Sequence, residues 1–178
     1  MVYINDQYRF IFIENPKSGS TSILKALSES LNIPINRTPH LQNAHQTCDQ
    51  IKQSYPDKWD EYLKVTTWRD PYNRFCSSVN YPRHHHLRGL CNFEQMKQHI
   101  ERQYPYDTLK PFCQYCISQE KFTDGVNFII KTDSIQEDYN QFCLKVGIPS
   151  VPIKNINTNN VKIYTEDQIK ELLFLVKL

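Results

Sequence analysis

Tyr8-Arg-Phe-Ile-Phe-Ile-Glu14-Asn15-Pro16-Lys17-Ser18-Gly19-Ser20-Thr21-Ser22 contains a strand ending, a small-residue loop and a helix opening in one short stretch. The run from Tyr8 to Glu14 is aromatic and β-branched and stops at Asn15-Pro16, which predicts a buried strand closed by a turn. From Thr21 to Leu31 the apolar residues Ile23, Leu24, Leu27 and Leu31 fall at helical spacing, and Asn32 with Pro34 ends the pattern. Between strand and helix lie Lys17, Ser18, Gly19 and Ser20, a loop of mostly small residues.

The same grammar recurs downstream. Tyr62-Leu-Lys-Val-Thr-Thr-Trp68 reads as a second core strand, and Asp70-Pro71 opens a helix over 71–79, because proline suits the first turn of a helix. Val126-Asn-Phe-Ile-Ile-Lys131 is a third strand. The helix over 134–146 that follows has Ser134 as N-cap, Glu137 at the capping-box position and Gly147 at its end. Shorter helices are expected over 47–55, 93–103 and 108–118, and Thr165-Glu-Asp-Gln168 opens a last one. Strands alternating with helices predict an α/β domain, a three-layer sandwich with a central parallel sheet, since parallel strands need crossover connections. A single domain over 1–178 is expected.

The chain carries 21 Lys+Arg against 19 Asp+Glu, a formal charge of +2, which disfavours binding driven by a polyanion's field and leaves no case for a nucleic-acid partner. Hydrophobic residues make up 39%, enough for a packed core. The longest apolar run, Leu172 to Val176, falls far short of the roughly 20 residues of a membrane span. Six cysteines are scattered through a chain long enough to fold without staples, and they read as mostly free thiols. Cys113-Gln-Tyr-Cys116 has no second pair, and three consecutive histidines, His84 to His86, cannot converge on one ion from regular structure, so no metal is expected.

The loop after the first strand has the makings of an oxyanion site. Backbone N–H groups at a helix N-terminus are unpaired and partly positive, glycine permits close approach, hydroxyls add donors, and Lys17 adds a full charge. The nucleoside-triphosphate pattern G-x-x-x-x-G-K-[ST] is not met, because Lys17 precedes the single Gly19. Trp68-Arg69-Asp70-Pro71-Tyr72-Asn73-Arg74-Phe75-Cys76-Ser77 forms a second candidate. There Arg69 at a strand end and Ser77 on the following helix can share an anion. The competing structural readings are a capped helix at the first loop and ion pairs from Arg69 and Arg74 to Asp70 or Glu61 at the second.

Taken together, the two segments resemble the 3′-phosphoadenylyl-sulfate (PAPS) dependent sulfotransferases, of the small carbohydrate-type branch. That family has P-K-[ST]-[GA]-[GST]-[TS]-[ST] at the 5′-phosphosulfate and R-[ND]-P-x-x-R-x-x-S at the 3′-phosphate, and this chain has both in order. The resemblance implies a P-loop-containing nucleotide hydrolase-like fold. It assigns Lys17, Ser18, Gly19, Ser20, Thr21 and Ser22 to the 5′ end and Arg69 and Ser77 to the 3′-phosphate. It extends through His45-Gln-Thr-Cys-Asp-Gln-Ile51, Trp59 to Lys64, Asn127 to Asp133 and Leu144 to Pro149, covering about residues 8 to 176. At Lys131-Thr132-Asp133 the chain departs from relatives, which tend to carry an Arg, an aromatic residue and a Glu there.

On this resemblance the chain would move sulfate from PAPS to an acceptor hydroxyl, on a carbohydrate or another hydroxyl-bearing molecule, release PAP and need no metal. Lys17 would neutralise the leaving phosphate. A base must lie within reach of the acceptor, and histidine suits that role near neutrality. His45 is the first candidate, with His40 and Glu14 behind it, and helix capping is the competing role for His45. Two other readings stay open: a non-catalytic domain binding a 3′-phosphonucleotide or sulfated glycan, and a divergent P-loop kinase requiring Mg²⁺. Free thiols and the absence of a secretory signal point to the cytoplasm, with the Golgi lumen as the alternative if an N-terminal anchor precedes the sequence.

Overall fold

The computed structural model describes residues 2–34, 45–80, 92–103, 118–154 and 163–176. These fall into two compact units, Met1–Arg69 with Ser118–Asn157, and Asp70–Ile117 with Thr158–Leu178. His40, His84 to His86, Cys91, Cys113, Cys116 and the helix expected over 108–118 lie outside the described residues, except for Ser118.

The first unit is built on a four-stranded sheet in the order β1 (Val2–Asn5), β2 (Phe10–Ile13), β3 (Leu63–Trp68), β4 (Phe128–Lys131). β2, β3 and β4 run parallel, as the alternating sequence predicts. The sheet is nevertheless mixed, because β1 pairs antiparallel with β2, Val2 facing Ile13 and Asn5 facing Phe10. The residue pattern predicts no strand at 2–5 and a strand starting at Tyr8. The cause is a tight turn: Asn5 Oδ1 accepts the Tyr8 N–H at 2.9 Å and Arg9 takes a left-handed φ of 51°, so the extended backbone resumes only at Phe10.

Side chains alternate across the sheet and divide it into two faces. Phe10, Phe12, Val65 and Ile130 form one face with Ile23, Leu24 and Leu27 of α1 (Ser20–Leu31) and with Tyr139, Phe142 and Cys143 of α7 (Ile135–Val146). On the other face Lys64 turns its Nζ to the carbonyl of Trp59 at 2.7 Å, beneath α3 (Pro56–Glu61). α2 (Cys48–Ser54) packs against α3 and against α6 (Glu120–Thr123). Helices therefore cover both faces, with the buried aromatic core under α1 and α7.

The second unit packs α4 (Pro71–Val79), α5 (Phe93–Gln103) and α8 (Glu166–Val176) around Phe75, Val79, Met96, Ile100, Ile169 and Leu172. α4 begins at Pro71 with the Asp70 carboxylate accepting the Asn73 N–H at 2.9 Å, and α8 opens on the Thr165–Gln168 capping box. The box expected at Ser134–Glu137 does not form. A 3₁₀ turn over Thr132–Ser134 intervenes, and Asp138 instead accepts from the Lys131 N–H and the Ser134 hydroxyl, each at 2.8 Å. Gly147 ends α7 in the left-handed conformation as expected. Among the described residues no helix is long and apolar enough to cross a membrane.

Candidate functional site

Ligands of parallel α/β sheets are held where the strands end at their carboxyl side. Here β2 ends into Glu14–Gly19, β3 into Arg69 and β4 into Lys131–Ser134. Lys17 and Gly19 both adopt left-handed backbone, with φ of 62° and 87°. Gly19 also has a steric reason to lack a side chain, since a Cβ there would sit 3.2 Å from Ile135 Cδ1 and 3.5 Å from Thr132 Cγ2. Lys17 has no such latitude. A non-glycine residue held at positive φ is strained, and such strain concentrates at functional loops.

Serine hydroxyls lock the loop from beneath. Ser18 Oγ and Ser20 Oγ each donate to the Asn15 carbonyl at 2.7 Å. Thr67 Oγ1 on β3 lies within hydrogen-bond distance of both, at 2.8 Å from Ser20, and its one proton is donated to one serine or the other. The two serines are buried, so their hydroxyls serve the loop, and what they turn toward a ligand is backbone. Gly19 is the N-cap of α1. It provides no capping side chain, and the first turn holds no acidic residue. The N–H groups of Gly19, Ser20 and Thr21 therefore stand at the positions that lack an intrahelical acceptor, at the positive end of the helix dipole. Thr21 is half-buried, and Ser22 is buried with its N–H given to the Gly19 carbonyl at 2.9 Å.

Arg69 joins the loop from β3. Its Nη1 donates to the Lys17 carbonyl at 3.4 Å, across 52 residues of sequence. The two motifs thus meet at Lys17 and Arg69. The Lys17 ammonium is pulled down to about 8, first by burial and then by the Arg69 charge. A cation disfavoured by partial burial and by a like charge is one that a nearby anion stabilises.

The ion pairs weighed for the second motif take another form. Glu61 binds Arg9 Nη2 at 2.7 Å, while Asp70 caps α4. Arg74 is buried in the second unit, and Ser77, half-buried on α4, belongs to that unit as well.

His45 reaches the same end of β2. Its Nδ1 lies 3.1 Å from the Glu14 carbonyl, and because a carbonyl only accepts, Nδ1 is the donor of this pair. It does not cap the following helix. Thr47 does, in a capping box with Gln50 whose bonds are 2.9 and 3.4 Å. Two of the three base candidates, His45 and Glu14, are therefore adjacent, and the Glu14 side chain is buried.

Three residues of this site escape sequence reading: Asn15, Thr67 and Gln119. Asn15 Nδ2 donates to the Thr67 carbonyl at 2.8 Å and to Gln119 Oε1 at 3.0 Å, tying the ends of β2 and β3 together. A polar pair, Thr66-Thr67, inside an apolar strand was the available signal for Thr67. Among the described residues Cys48, Cys76 and Cys143 are not in disulfides, and no group of three His, Cys, Asp or Glu side chains is placed to hold a metal ion. No protein-family model, curated protein or solved structure matches the chain.

Proposed function

We propose that the chain is a PAPS-dependent sulfotransferase acting on a hydroxyl of a carbohydrate acceptor. The observation that carries this reading is the meeting of Lys17 and Arg69, one from each phosphate-type motif, beside an uncapped helix N-terminus. Such a donor set fits a ligand with separate anionic groups at its 5′ and 3′ positions: backbone amides and an ammonium for one, a guanidinium for the other.

PAPS, when bound, supplies the sulfuryl group, whose bond to a phosphate oxygen breaks as a bond to the acceptor oxygen forms. Lys17, whose charged form the anion favours, offsets the charge left on that phosphate oxygen. The loop amides of Gly19, Ser20 and Thr21 orient the same end, and Arg69 takes the 3′-phosphate. His45 receives the acceptor's proton on Nε2, since its Nδ1–H is engaged by Glu14. Glu14 acts here through its backbone carbonyl. These roles are divided among residues from two strand ends, the start of α1 and the loop before α2.

The test is transfer of label from sulfur-35 PAPS to a panel of hydroxyl-bearing glycans. Labelled product, abolished in Lys17→Gly and in His45→Ala, supports the reading. Binding of PAPS with no transfer to any acceptor identifies a non-catalytic binding domain instead, and phosphate transfer from ATP·Mg²⁺ identifies a kinase.

A further inference from the structure

Gln119 stands 50 residues beyond Arg69 and belongs to neither phosphate-type motif, yet its side chain makes three hydrogen bonds at the site. Its Oε1 accepts from Asn15 Nδ2 at 3.0 Å and from the Arg69 N–H at 3.2 Å, while its Nε2 donates to the Arg69 carbonyl at 2.7 Å. Gln119 is about nine-tenths buried, with 9% exposure. The amide thus pairs with both backbone groups of Arg69, as the next strand of a sheet would, at the point where β3 ends. Its orientation is dictated by its partners, because turning the amide over would set its NH₂ against two donors. Asn15 spends both its side-chain donors, one on Thr67 and one on Gln119.

A closed circuit results: Asn15 to Gln119 by side chains, Gln119 to Arg69 by the backbone of Arg69, Arg69 to Lys17 by the guanidinium, and Lys17 back to Asn15 through Pro16. We propose that Gln119 is a positioning residue of the anion site, which fixes the backbone of Arg69 and the start of the Lys17 loop so that the two cations are presented to one ligand. This rests on the sulfotransferase reading, which supplies the probe. Gln119 touches no ligand group itself; it acts through Arg69 and Asn15.

A merely structural role would lower stability and weaken every ligand alike. A positioning role predicts a selective loss of the part of the affinity that Arg69 provides, the 3′-phosphate increment. The experiment is calorimetric titration of the full chain with PAP and with 5′-AMP, on the parent, Gln119→Met, Arg69→Ala and the double variant. The expected result is a ratio of PAP to 5′-AMP affinity that falls by about tenfold or more in Gln119→Met and falls little further when Gln119→Met is added to Arg69→Ala. If Gln119→Met does not fold, Gln119→Asn, which keeps the amide but draws it back by one methylene, must show the same fall. A parent that prefers PAP together with an unchanged ratio in the Gln119 variant overturns the positioning role alone. A parent with no preference for PAP overturns the sulfotransferase reading and this proposal with it.

Discussion

Arg69 holds the backbone of Lys17: its Nη1 donates to the Lys17 carbonyl at 3.4 Å, and Lys17 is one of three non-glycine residues with positive φ among those described. The residue that pays backbone strain in the loop is thus restrained by the second cation of the site. Burial first and the Arg69 charge second depress the Lys17 ammonium, so an incoming anion offsets a repulsion as well as making contacts.

Lys17→Gly separates binding from folding. Glycine accepts a φ of 62° without penalty, so this variant is expected to stay within about 1 kcal/mol of the parent in denaturant unfolding while losing PAP binding. Lys17→Ala loses binding too, but keeps the strain and is less stable than Lys17→Gly. Equal PAP affinity in the parent and Lys17→Gly would remove Lys17 from the site.

The depressed Lys17 also sets a pH signature. Between about 8, where the folded chain releases the Lys17 proton, and 10.5, the ordinary value that applies when unfolded, the unfolded chain holds more protons. Ligand-free stability contributed by this residue therefore rises as pH climbs through that window. PAP affinity moves the opposite way, falling toward about tenfold per pH unit above pH 8, because the ligand requires the ammonium. At pH 9 binding must take up a proton, visible as a binding enthalpy that depends on the ionisation enthalpy of the buffer.

Removing the His45 imidazole is expected to lower kcat by about 10² to 10⁴, the usual contribution of a general base, with PAP affinity changed little. His45→Ala compared with the parent by single-turnover transfer and by PAP titration tests both halves. A loss of PAP binding without a loss of kcat would make His45 a binding residue.

The hydroxyl lock is a matter of stability. Ser18→Ala removes a buried donor to the Asn15 carbonyl and a partner of Thr67, for an expected cost of about 1–3 kcal/mol in urea unfolding. Gly19→Ala is expected to cost a similar amount, about 1–2 kcal/mol, since its φ of 87° is left-handed and its Cβ would press on Ile135.

The strands and helices that position the site were legible wherever a residue pattern coincides with a local cause. Phe10–Ile13 is a continuous apolar run, and Asp70-Pro71 carries both an N-cap and a first-turn proline, so the start of α4 could be read to the residue. β1 was not, because three half-buried residues and a buried Asn5 before a turn carry no hydrophobic periodicity. Nor was α3, whose six residues are too few to show a helical period. Within the site, Lys17 and Arg69 stand in recognisable local strings. Asn15, Thr67 and Gln119 do not, because their work is done by hydrogen bonds spanning 47 to 104 residues, and such pairings leave no mark on spacing.

The central claim is that this strand-end site takes a 3′,5′-bisphosphonucleotide. Thermal unfolding with PAP, set beside 5′-AMP and ATP·Mg²⁺, tests it most directly. At 100 times its dissociation constant PAP should add about 2.7 kcal/mol to the folded state, raising the melting temperature of the parent but not of Lys17→Gly or Arg69→Ala. No shift with PAP, or a larger one with ATP·Mg²⁺, would contradict the account.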